Sequence, residues 1–179
     1  MFLDTRDALR NLNHAVLAAM DVPMSWEDFL RCSKEIVEVS DRICDGWNLQ
    51  QREHGLYLTK KVHQTIEQVD LVFEYHVVYN ASYGTPMMCL NVWGLDGALV
   101  GMERCWELLG FKRTEDMYVT LTQMDHPVLM RPFLTLHPCK TEAIMNSMFS
   151  RSRNGLVSWL SAVAAAVNLR VDCSYAELT

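Results

Sequence analysis

Two apolar segments separated by a short turn place the strongest constraint on the fold of this chain. The first, LVFEYHVVYN, begins at Leu71 and alternates apolar residues with Glu74 and His76, which is the two-residue period of a β-strand. The second, PMMCLNVW, begins at Pro86 and is almost entirely apolar. The residues between them include Gly84 and are typical of a turn. Two strands joined this closely along the chain are predicted to pair as an antiparallel hairpin.

A helix is predicted before the hairpin, from about Trp26 to Trp47. Ser25 suits the N-cap position, and Glu27 and Asp28 suit the positive end of the helix dipole. Apolar residues recur at intervals of three and four, so one face of the helix is expected to pack on a sheet; a groove for a partner protein is the alternative. These apolar residues are Trp26, Phe29, Leu30, Ile36, Val37, Ile43, Cys44 and Trp47.

The remaining periodic segments predict short elements on both sides of the hairpin. A helix, a set of antiparallel strands and further helices together form an α+β fold, with one sheet and its covering helices. Strands are expected in GLYLTKKV, YVTLTQ and FLTL, and helices at Met102–Leu109, from Thr141 to about Ser150, and from Asn154 or Gly155 to about Asn168.

Length and charge limit the domain organisation and the class of partner. The 179 residues suffice for one domain, and we divide them into a weakly attached N-terminal extension at residues 1–22 and a single domain at residues 23–179. The net charge of −6 and the absence of any block of lysine and arginine argue against nucleic acid as a partner.

No segment of the sequence has the pattern of a membrane span or of a secretory signal. The longest apolar stretch, GLVSWLSAVAAAVNL, is shorter than the roughly 20 residues that a bilayer requires. Asp4, Arg6, Asp7 and Arg10 occupy positions that would be apolar in a signal peptide. A cytoplasmic location is therefore expected.

The six cysteines form no recognisable disulfide or zinc pattern. They are far apart, and most lie in apolar periodic segments without an export signal that would indicate an oxidising compartment. His137 and Cys139 form the only close His/Cys pair, whereas structural zinc sites usually take their ligands from two such clusters. We therefore predict no disulfide framework, no metal site and no other cofactor.

One of these cysteines, Cys139, lies in the segment PFLTLHPCKTEA, where a predicted strand gives way to a turn and then to a helix. Backbone amides at the start of that helix would favour the thiolate, and Lys140 adds a positive charge. Pro138 restricts its own backbone and biases His137 towards an extended conformation, which partly sets the direction of the thiol. These are conditions for a nucleophile, although spacing alone favours a buried structural cysteine.

Beyond this motif, the chain resembles the autophagy-related protein ten family, the ubiquitin-like conjugating enzymes of the autophagy conjugation system. The run HPVLMRPFLTLHPCKTEA is similar to the family's segment around its thioester cysteine, and YHVVYNASYGTPMMCLNVWGLDG is similar to its central hairpin. SWLSAVAAAVNLRVDCSYA is similar to its C-terminal helix and tail, and WEDFLRCSKEIVEVSDRICDGW is similar to its first helix. The resemblance therefore covers about Trp26 to Tyr175. It implies a ubiquitin-conjugating-enzyme-like fold, a curled antiparallel sheet of about four to six strands flanked by helices.

The resemblance implies an acyltransferase that works through a cysteine thioester. An ATP-dependent activating enzyme would transfer the ubiquitin-like autophagy protein twelve to Cys139 as a C-terminal glycyl thioester, and Cys139 would pass it to a lysine of autophagy protein five as an isopeptide bond. Ordinary ubiquitin-conjugating enzymes carry an asparagine in a His-Pro-Asn motif before the cysteine, and this chain has none there. By resemblance, His137 and the hairpin tyrosine Tyr83 take its place and orient the lysine or the thioester carbonyl.

The residues leave alternatives open. The domain could be a non-covalent scaffold for the two autophagy proteins, or the related enzyme that conjugates a ubiquitin-like protein to lipid, although the long acidic insertion usual in that enzyme is absent here. For Tyr83 and His137 the structural alternatives are a packed turn tyrosine and a histidine hydrogen-bonded at a strand end. The exposed edge of the hairpin from Leu71 to Trp93 is predicted to bind the acceptor, by strand addition or through its side face.

Overall fold

The computed structural model describes residues 24–111, 120–137 and 152–179. The N-terminal extension predicted at residues 1–22 and the helix predicted to begin at Thr141 lie outside the described residues, so both stay predictions. None of the helices in the described ranges is long and apolar enough to cross a membrane. In chain order the elements are α1 (Trp26–Ile43), β1 (Asn48–Arg52), β2 (Gly55–Ile66), β3 (Val69–Asn80), β4 (Thr85–Gly94), α2 (Met102–Leu108), β5 (Leu121–Asp125), β6 (Pro132–Leu136) and α3 (Gly155–Ala164), followed by the 3₁₀ turns Ala165–Val167 and Cys173–Leu178.

The six strands form one antiparallel sheet in the order β1-β2-β3-β4-β6-β5. Strands β3 and β4 form the predicted hairpin, with Asn80 opposite Thr85 at its turn. Strand β6 lies between β4 and β5 and pairs with β4 over a short stretch in which Thr135 faces Cys89. Together with the helices, this sheet confirms the predicted α+β class.

The main hydrophobic core lies between one face of the sheet and helices α1 and α3. The alternation in β3 directs Leu71, Phe73, Tyr75 and Val77 into this core, as the two-residue period predicts. Trp159 of α3 is fully buried in the same cluster. Burial of such large side chains supplies most of the stability of a domain of this size, because the favourable free energy scales with the apolar area removed from water.

Helix α1 begins where the sequence predicts and ends earlier. The Ser25 hydroxyl accepts a hydrogen bond from the backbone amide of Asp28 at 3.0 Å, which caps the first turn. The helix ends at Ile43, after which Cys44 takes a left-handed conformation with a φ of 56°, and Trp47 reaches the core from the following loop. The next element, β1, has the polar sequence NLQQR, whose lack of alternation explains why the sequence does not predict this strand.

Neither strand of the β3–β4 hairpin is an edge strand of the sheet, so the prediction that an exposed hairpin edge binds an acceptor by strand addition is wrong. Binding through the side face of the hairpin stays a prediction. Strand β3 pairs with β2 from Val69 to Val78, and β4 pairs with β6 at Cys89 and Leu90. Among the described strands, β1 and β5 are the ones at the edges of the sheet. A partner that adds a strand to this part of the chain would use β1 or β5.

The opposite face of the sheet carries a second, smaller core. A turn at residues 126–131, between β5 and β6, contributes Val128 to it. The turn is closed by hydrogen bonds from the His126 amide to the Arg131 carbonyl and from the Met130 amide to the His126 carbonyl, both at 2.9 Å. The sheet residues in this core are Tyr57, Val78, Met87, Cys89 and Phe133.

Candidate active site

Tyr83 lies in the turn between β3 and β4, and the side chain of Asn80 shapes this turn. The Oδ1 atom of Asn80 accepts hydrogen bonds from the backbone amides of Ser82 at 3.0 Å and Tyr83 at 3.2 Å. Asparagine side chains commonly hold turns in this way. Gly84 follows with a φ of 58°, a left-handed conformation that favours glycine. The turn presents Tyr83 to solvent, with 40% of its surface exposed.

The segment before α1 holds the same turn from the other side. The backbone amide of Met24 donates to the Gly84 carbonyl at 3.0 Å, and the Tyr79 hydroxyl donates to the Met24 carbonyl at 2.9 Å. Trp26 packs edge-on against Tyr79, with ring centroids 5.6 Å apart, and 38% of its surface is exposed. The prediction that Trp26 belongs to the apolar face of the helix that packs on the sheet is therefore only partly correct. These contacts fix the turn against the start of α1.

His137 follows strand β6 directly and lies beside Tyr83. Its backbone amide donates to the Thr120 carbonyl at 3.0 Å, which continues the pairing of β5 with β6. The rings of His137 and Tyr83 pack edge to face, with centroids 6.4 Å apart and planes at 77°. Because β6 runs antiparallel to β4, its C-terminal end reaches the end of the hairpin where β4 begins. Two residues that the resemblance assigns to one site are therefore neighbours in the fold.

Cys139, the predicted nucleophile, lies outside the described residues, as do Lys140 and Thr141. The ionised and accessible state of its thiol stays a prediction. The described part of the site consists of the exposed side chain of Tyr83 and the half-buried imidazole of His137. Both side chains can donate a hydrogen bond to a carbonyl oxygen or accept one from an amine.

The cysteines in the described part of the chain are free thiols of two kinds. Burial raises the pKa of Cys89 to about 12 and the pKa of Cys105 to about 11, and it also raises the pKa of Cys32. These buried thiols stay protonated near neutral pH. Cys44 and Cys173, in contrast, are exposed. A reagent that selects cysteines by exposure alone would therefore modify Cys44 and Cys173.

A chain of buried polar side chains on the opposite face of the sheet is a feature that the sequence does not predict. The Nδ1 atom of His76 lies 3.1 Å from Nε2 of His126, and Nε2 of His76 lies 3.5 Å from a carboxylate oxygen of Glu74. The other oxygen of Glu74 accepts a hydrogen bond from the indole of Trp93 at 3.0 Å. The alternation in β3 places Glu74 and His76 on one face, but His126 comes from a turn 50 residues further on. The spacing of residues along the sequence therefore does not link His126 to Glu74 and His76.

Burial and charge shift the pKa of two members of this chain of side chains. Burial lowers the pKa of His126 to about 3, with additional contributions from His76 and Arg131. The pKa of Glu74 is lowered to about 2, mainly because His76 hydrogen-bonds to the carboxylate. At neutral pH, His126 is therefore uncharged and Glu74 is ionised. Within the described ranges, no group of three or more His, Cys, Asp and Glu side chains is arranged to hold a metal ion.

The sheet, its helices and the Tyr83–His137 pair define an α+β domain with a polar site where β6 ends. The chain belongs to the family described as autophagocytosis associated protein, active-site domain, whose sequence profile matches residues 21–174.

Similar curated proteins share one name, ubiquitin-like-conjugating enzyme ATG10. The relative from Homo sapiens is 35% identical over 117 residues, which are 60% of this chain and 53% of that protein. The relative from Arabidopsis thaliana is 29% identical over 123 residues, covering 60% and 53%, and the one from Dictyostelium discoideum is 25% identical over 120 residues, covering 56% and 52%. This chain spans about half the length of the curated relatives it matches.

Proposed function

We propose that this chain is a ubiquitin-like conjugating enzyme of autophagy with Cys139 as its nucleophile. It accepts autophagy protein twelve as a glycyl thioester and transfers it to a lysine of autophagy protein five. The observation that carries the proposal is the contact between Tyr83 and His137. His137 stands two residues before Cys139 in the HPCKT motif. The family match and the names of the relatives support the class of reaction.

Chain connectivity keeps Cys139 close to the Tyr83–His137 pair. Consecutive Cα atoms are about 3.8 Å apart, so the Cα atoms of His137 and Cys139 are at most about 7.6 Å apart. His137 in turn contacts Tyr83. The proposal therefore puts the thioester carbonyl of Cys139 within reach of both rings.

The first step is an exchange between a thiol and a thioester. The Cys139 thiolate attacks the carbonyl that joins the C-terminal glycine of the ubiquitin-like protein to the activating enzyme, and the thiolate of the activating enzyme leaves. The rate of such a step depends on the fraction of thiolate and on its nucleophilicity. Lys140, the next residue in the sequence, favours the thiolate through its positive charge.

The second step is the attack of a lysine amine on the thioester of Cys139. An ordinary lysine has a pKa of about 10.4 and is almost fully protonated near neutral pH, so it must lose a proton before it attacks. A poorly hydrated groove lowers that pKa, and contact with the carbonyl supplies proximity. The tetrahedral intermediate carries an oxyanion. Its collapse breaks the carbon–sulfur bond and releases the Cys139 thiolate, and the nitrogen gives up its extra proton to solvent, which leaves the isopeptide bond. In this proposal, Tyr83 and His137 orient the amine or donate a hydrogen bond to the oxyanion.

A reconstituted conjugation assay tests the proposal. With the activating enzyme, ATP and autophagy protein twelve, the wild-type chain should form an adduct that a reducing agent cleaves, and Cys139→Ser should form a stable oxyester. Cys44→Ser and Cys173→Ser are matched controls, because each removes an exposed thiol and should leave the adduct unchanged.

Tyr83→Phe and His137→Ala separate the two steps. If Tyr83 and His137 orient the acceptor, both variants should load at close to the wild-type rate and discharge onto autophagy protein five about tenfold more slowly or worse. A wild-type chain that binds both proteins but never forms the adduct, under conditions in which a relative does, would contradict the proposal and identify a non-covalent scaffold instead.

A further inference from the structure

A cavity of about 550 Å³ opens on the sheet face opposite helices α1 and α3. Glu74 and His76 of β3 line it and are almost completely buried, so they form its floor. Three cationic side chains from different elements also line it: Arg52 of β1, Lys61 of β2 and Arg131 of the 126–131 turn. Its volume falls within the range of ligand pockets, roughly 300 to 1,000 Å³. The proposed conjugation chemistry makes no use of it.

The charge around this cavity has the opposite sign from that of the whole chain. The protein has a net charge of −6, yet the cavity is lined by three cationic side chains and one carboxylate, Glu74. Within the described part of the chain, neither Arg52 nor Arg131 forms an ion pair with a carboxylate. As far as the described ranges extend, the cavity therefore presents two guanidinium groups that no acid neutralises in an ion pair.

The buried carboxylate of Glu74 does not cancel the charge of Arg52 and Arg131, because its contacts in the described part of the chain are with Trp93, His76 and Lys61. Its side chain is 9% exposed, and one oxygen accepts a hydrogen bond from Trp93 at 3.0 Å. The other oxygen lies 3.5 Å from Nε2 of His76 and 3.5 Å from Nζ of Lys61. The Lys61 side chain is 62% exposed, so part of its charge still faces solvent.

The wall that carries Arg131 is held in place by the buried histidine His126. The Nδ1 atom of His126 accepts hydrogen bonds from the backbone amides of Val128 at 3.2 Å and Leu129 at 3.1 Å. The guanidinium of Arg131 lies over the ring of Phe133, 5.2 Å from its centroid. The position of Arg131 is thus set before any partner binds, which lowers the entropic cost of binding.

We propose that this cavity is a docking site for an acidic, extended segment of a partner protein, with carboxylates of that segment on Arg52 and Arg131. Guanidinium groups suit this role because their planar fork matches a carboxylate and they remain charged at any physiological pH. Lys61, whose side chain is 62% exposed, adds a third attraction. Nucleic acids and anionic membranes need an extended basic face, whereas these cations line one concavity of a chain with a net charge of −6.

Fluorescence anisotropy with a fluorescein-labelled peptide of alternating glutamate and serine tests the docking site. The wild-type chain should bind the peptide with an affinity that falls as the salt concentration rises. Arg52→Glu/Arg131→Glu should weaken binding by about tenfold or more, because each reversal replaces an attraction with a repulsion. Lys34→Glu/Arg170→Glu makes the same change in net charge at exposed positions outside the cavity and should bind within about twofold of wild type.

Two further measurements keep the test independent of folding and of catalysis. In the wild-type chain, NMR amide shifts caused by the peptide should concentrate in β1, β2 and the 126–131 turn. Cys139→Ser should bind the peptide as tightly as wild type, so a failure of docking and a failure of conjugation are separate results. The proposal is overturned if the wild-type chain does not bind the peptide, if the two double variants lose equal affinity, or if anionic vesicles or single-stranded DNA bind the cavity in preference to the peptide.

Discussion

Acidification should destabilise this protein, because the contacts of His126 require an uncharged ring. The Nδ1 atom of His126 accepts hydrogen bonds from the amides of Val128 at 3.2 Å and Leu129 at 3.1 Å, so the single proton of the neutral ring lies on Nε2. That proton is directed at Nδ1 of His76, 3.1 Å away. A second proton would have to bind Nδ1 of His126, where two backbone amides already point, and burial would oppose the charge.

The size of this effect follows from the pKa of His126. Burial, together with His76 and Arg131, lowers this pKa from its ordinary 6.5 to about 3. A base with a lowered pKa in the folded state takes up its proton preferentially when unfolded, so stability falls as the pH drops below 6.5. At about 1.4 kcal/mol per pH unit, the free energy of unfolding should fall by about 2 kcal/mol between pH 7 and pH 5. Glu74 adds a further loss only below its ordinary pKa of 4.5, because its carboxylate pKa is lowered to about 2.

Urea unfolding followed by tryptophan fluorescence at pH values from about 5 to about 8 measures this slope. His126→Asn should flatten it, because the asparagine oxygen can still accept from the turn amides but the side chain does not titrate. His63→Gln, at an exposed position of β2, is the matched control and should leave the slope as in wild type. A wild-type free energy of unfolding that does not change between pH 7 and pH 5, or a slope that survives His126→Asn, would refute this reasoning.

Three other predictions concern the hairpin turn, the cysteines and the main hydrophobic core. Asn80→Ala removes the acceptor that shapes the hairpin turn, so discharge of the thioester should slow by about tenfold in single-turnover assays while loading is unchanged. Asn80→Asp keeps that oxygen and should restore the rate of discharge. Equal slowing of loading and discharge would count against a role of Asn80 in positioning Tyr83. In a Cys44→Ser/Cys173→Ser background, iodoacetamide at neutral pH should modify Cys139 and leave the buried thiols of Cys89 and Cys105 intact until urea is added. Peptide mapping measures this difference. Modification of Cys89 and Cys105 at the same rate as Cys139 would be inconsistent with their raised pKa values. Phe73→Ala should lower the free energy of unfolding by roughly 3–5 kcal/mol in urea titrations, and a loss below about 1 kcal/mol would show that the core collapses around the missing ring.

Local periodicity accounts for the parts of the fold that the sequence predicts correctly. The two-residue alternation from Leu71 onward predicts β3, and the glycine-containing turn after it predicts the hairpin. Ser25 marks the start of α1 because its cap is a contact within one turn of the helix. Features of this kind depend on residues that are close in the sequence, so the sequence carries their signal.

The order of the strands depends on contacts between distant segments, and it was beyond the reach of local patterns. Strand β6 lies between β4 and β5, so the β3–β4 hairpin lies in the interior of the sheet and β1 and β5 are its edge strands. Strand β1 has no apolar period because it is a short edge strand with a polar sequence. The hairpin-edge prediction was wrong for this reason.

The candidate site likewise combines features that the sequence predicts with features that depend on contacts between distant residues. The motif around Cys139 and the roles of Tyr83 and His137 come from the resemblance, and the contact between the two rings depends on the antiparallel register of β4 and β6. His126 is the first residue of the run HPVLMRPFLTLHPCKTEA, and its contact with His76 arises because the 126–131 turn folds over the sheet. Long-range contacts of this type cannot be predicted from the spacing of residues along the sequence.

Peptide mapping of the conjugation intermediate by mass spectrometry is the most direct test of the proposed nucleophile. We predict that the C-terminal glycine of autophagy protein twelve is linked as a thioester to Cys139 in the wild-type chain, with the other five cysteines unmodified. The linkage should disappear on reduction and should become a stable ester at position 139 in Cys139→Ser. A thioester on Cys44 or Cys173, or no linkage in the presence of an active activating enzyme, would contradict the assignment.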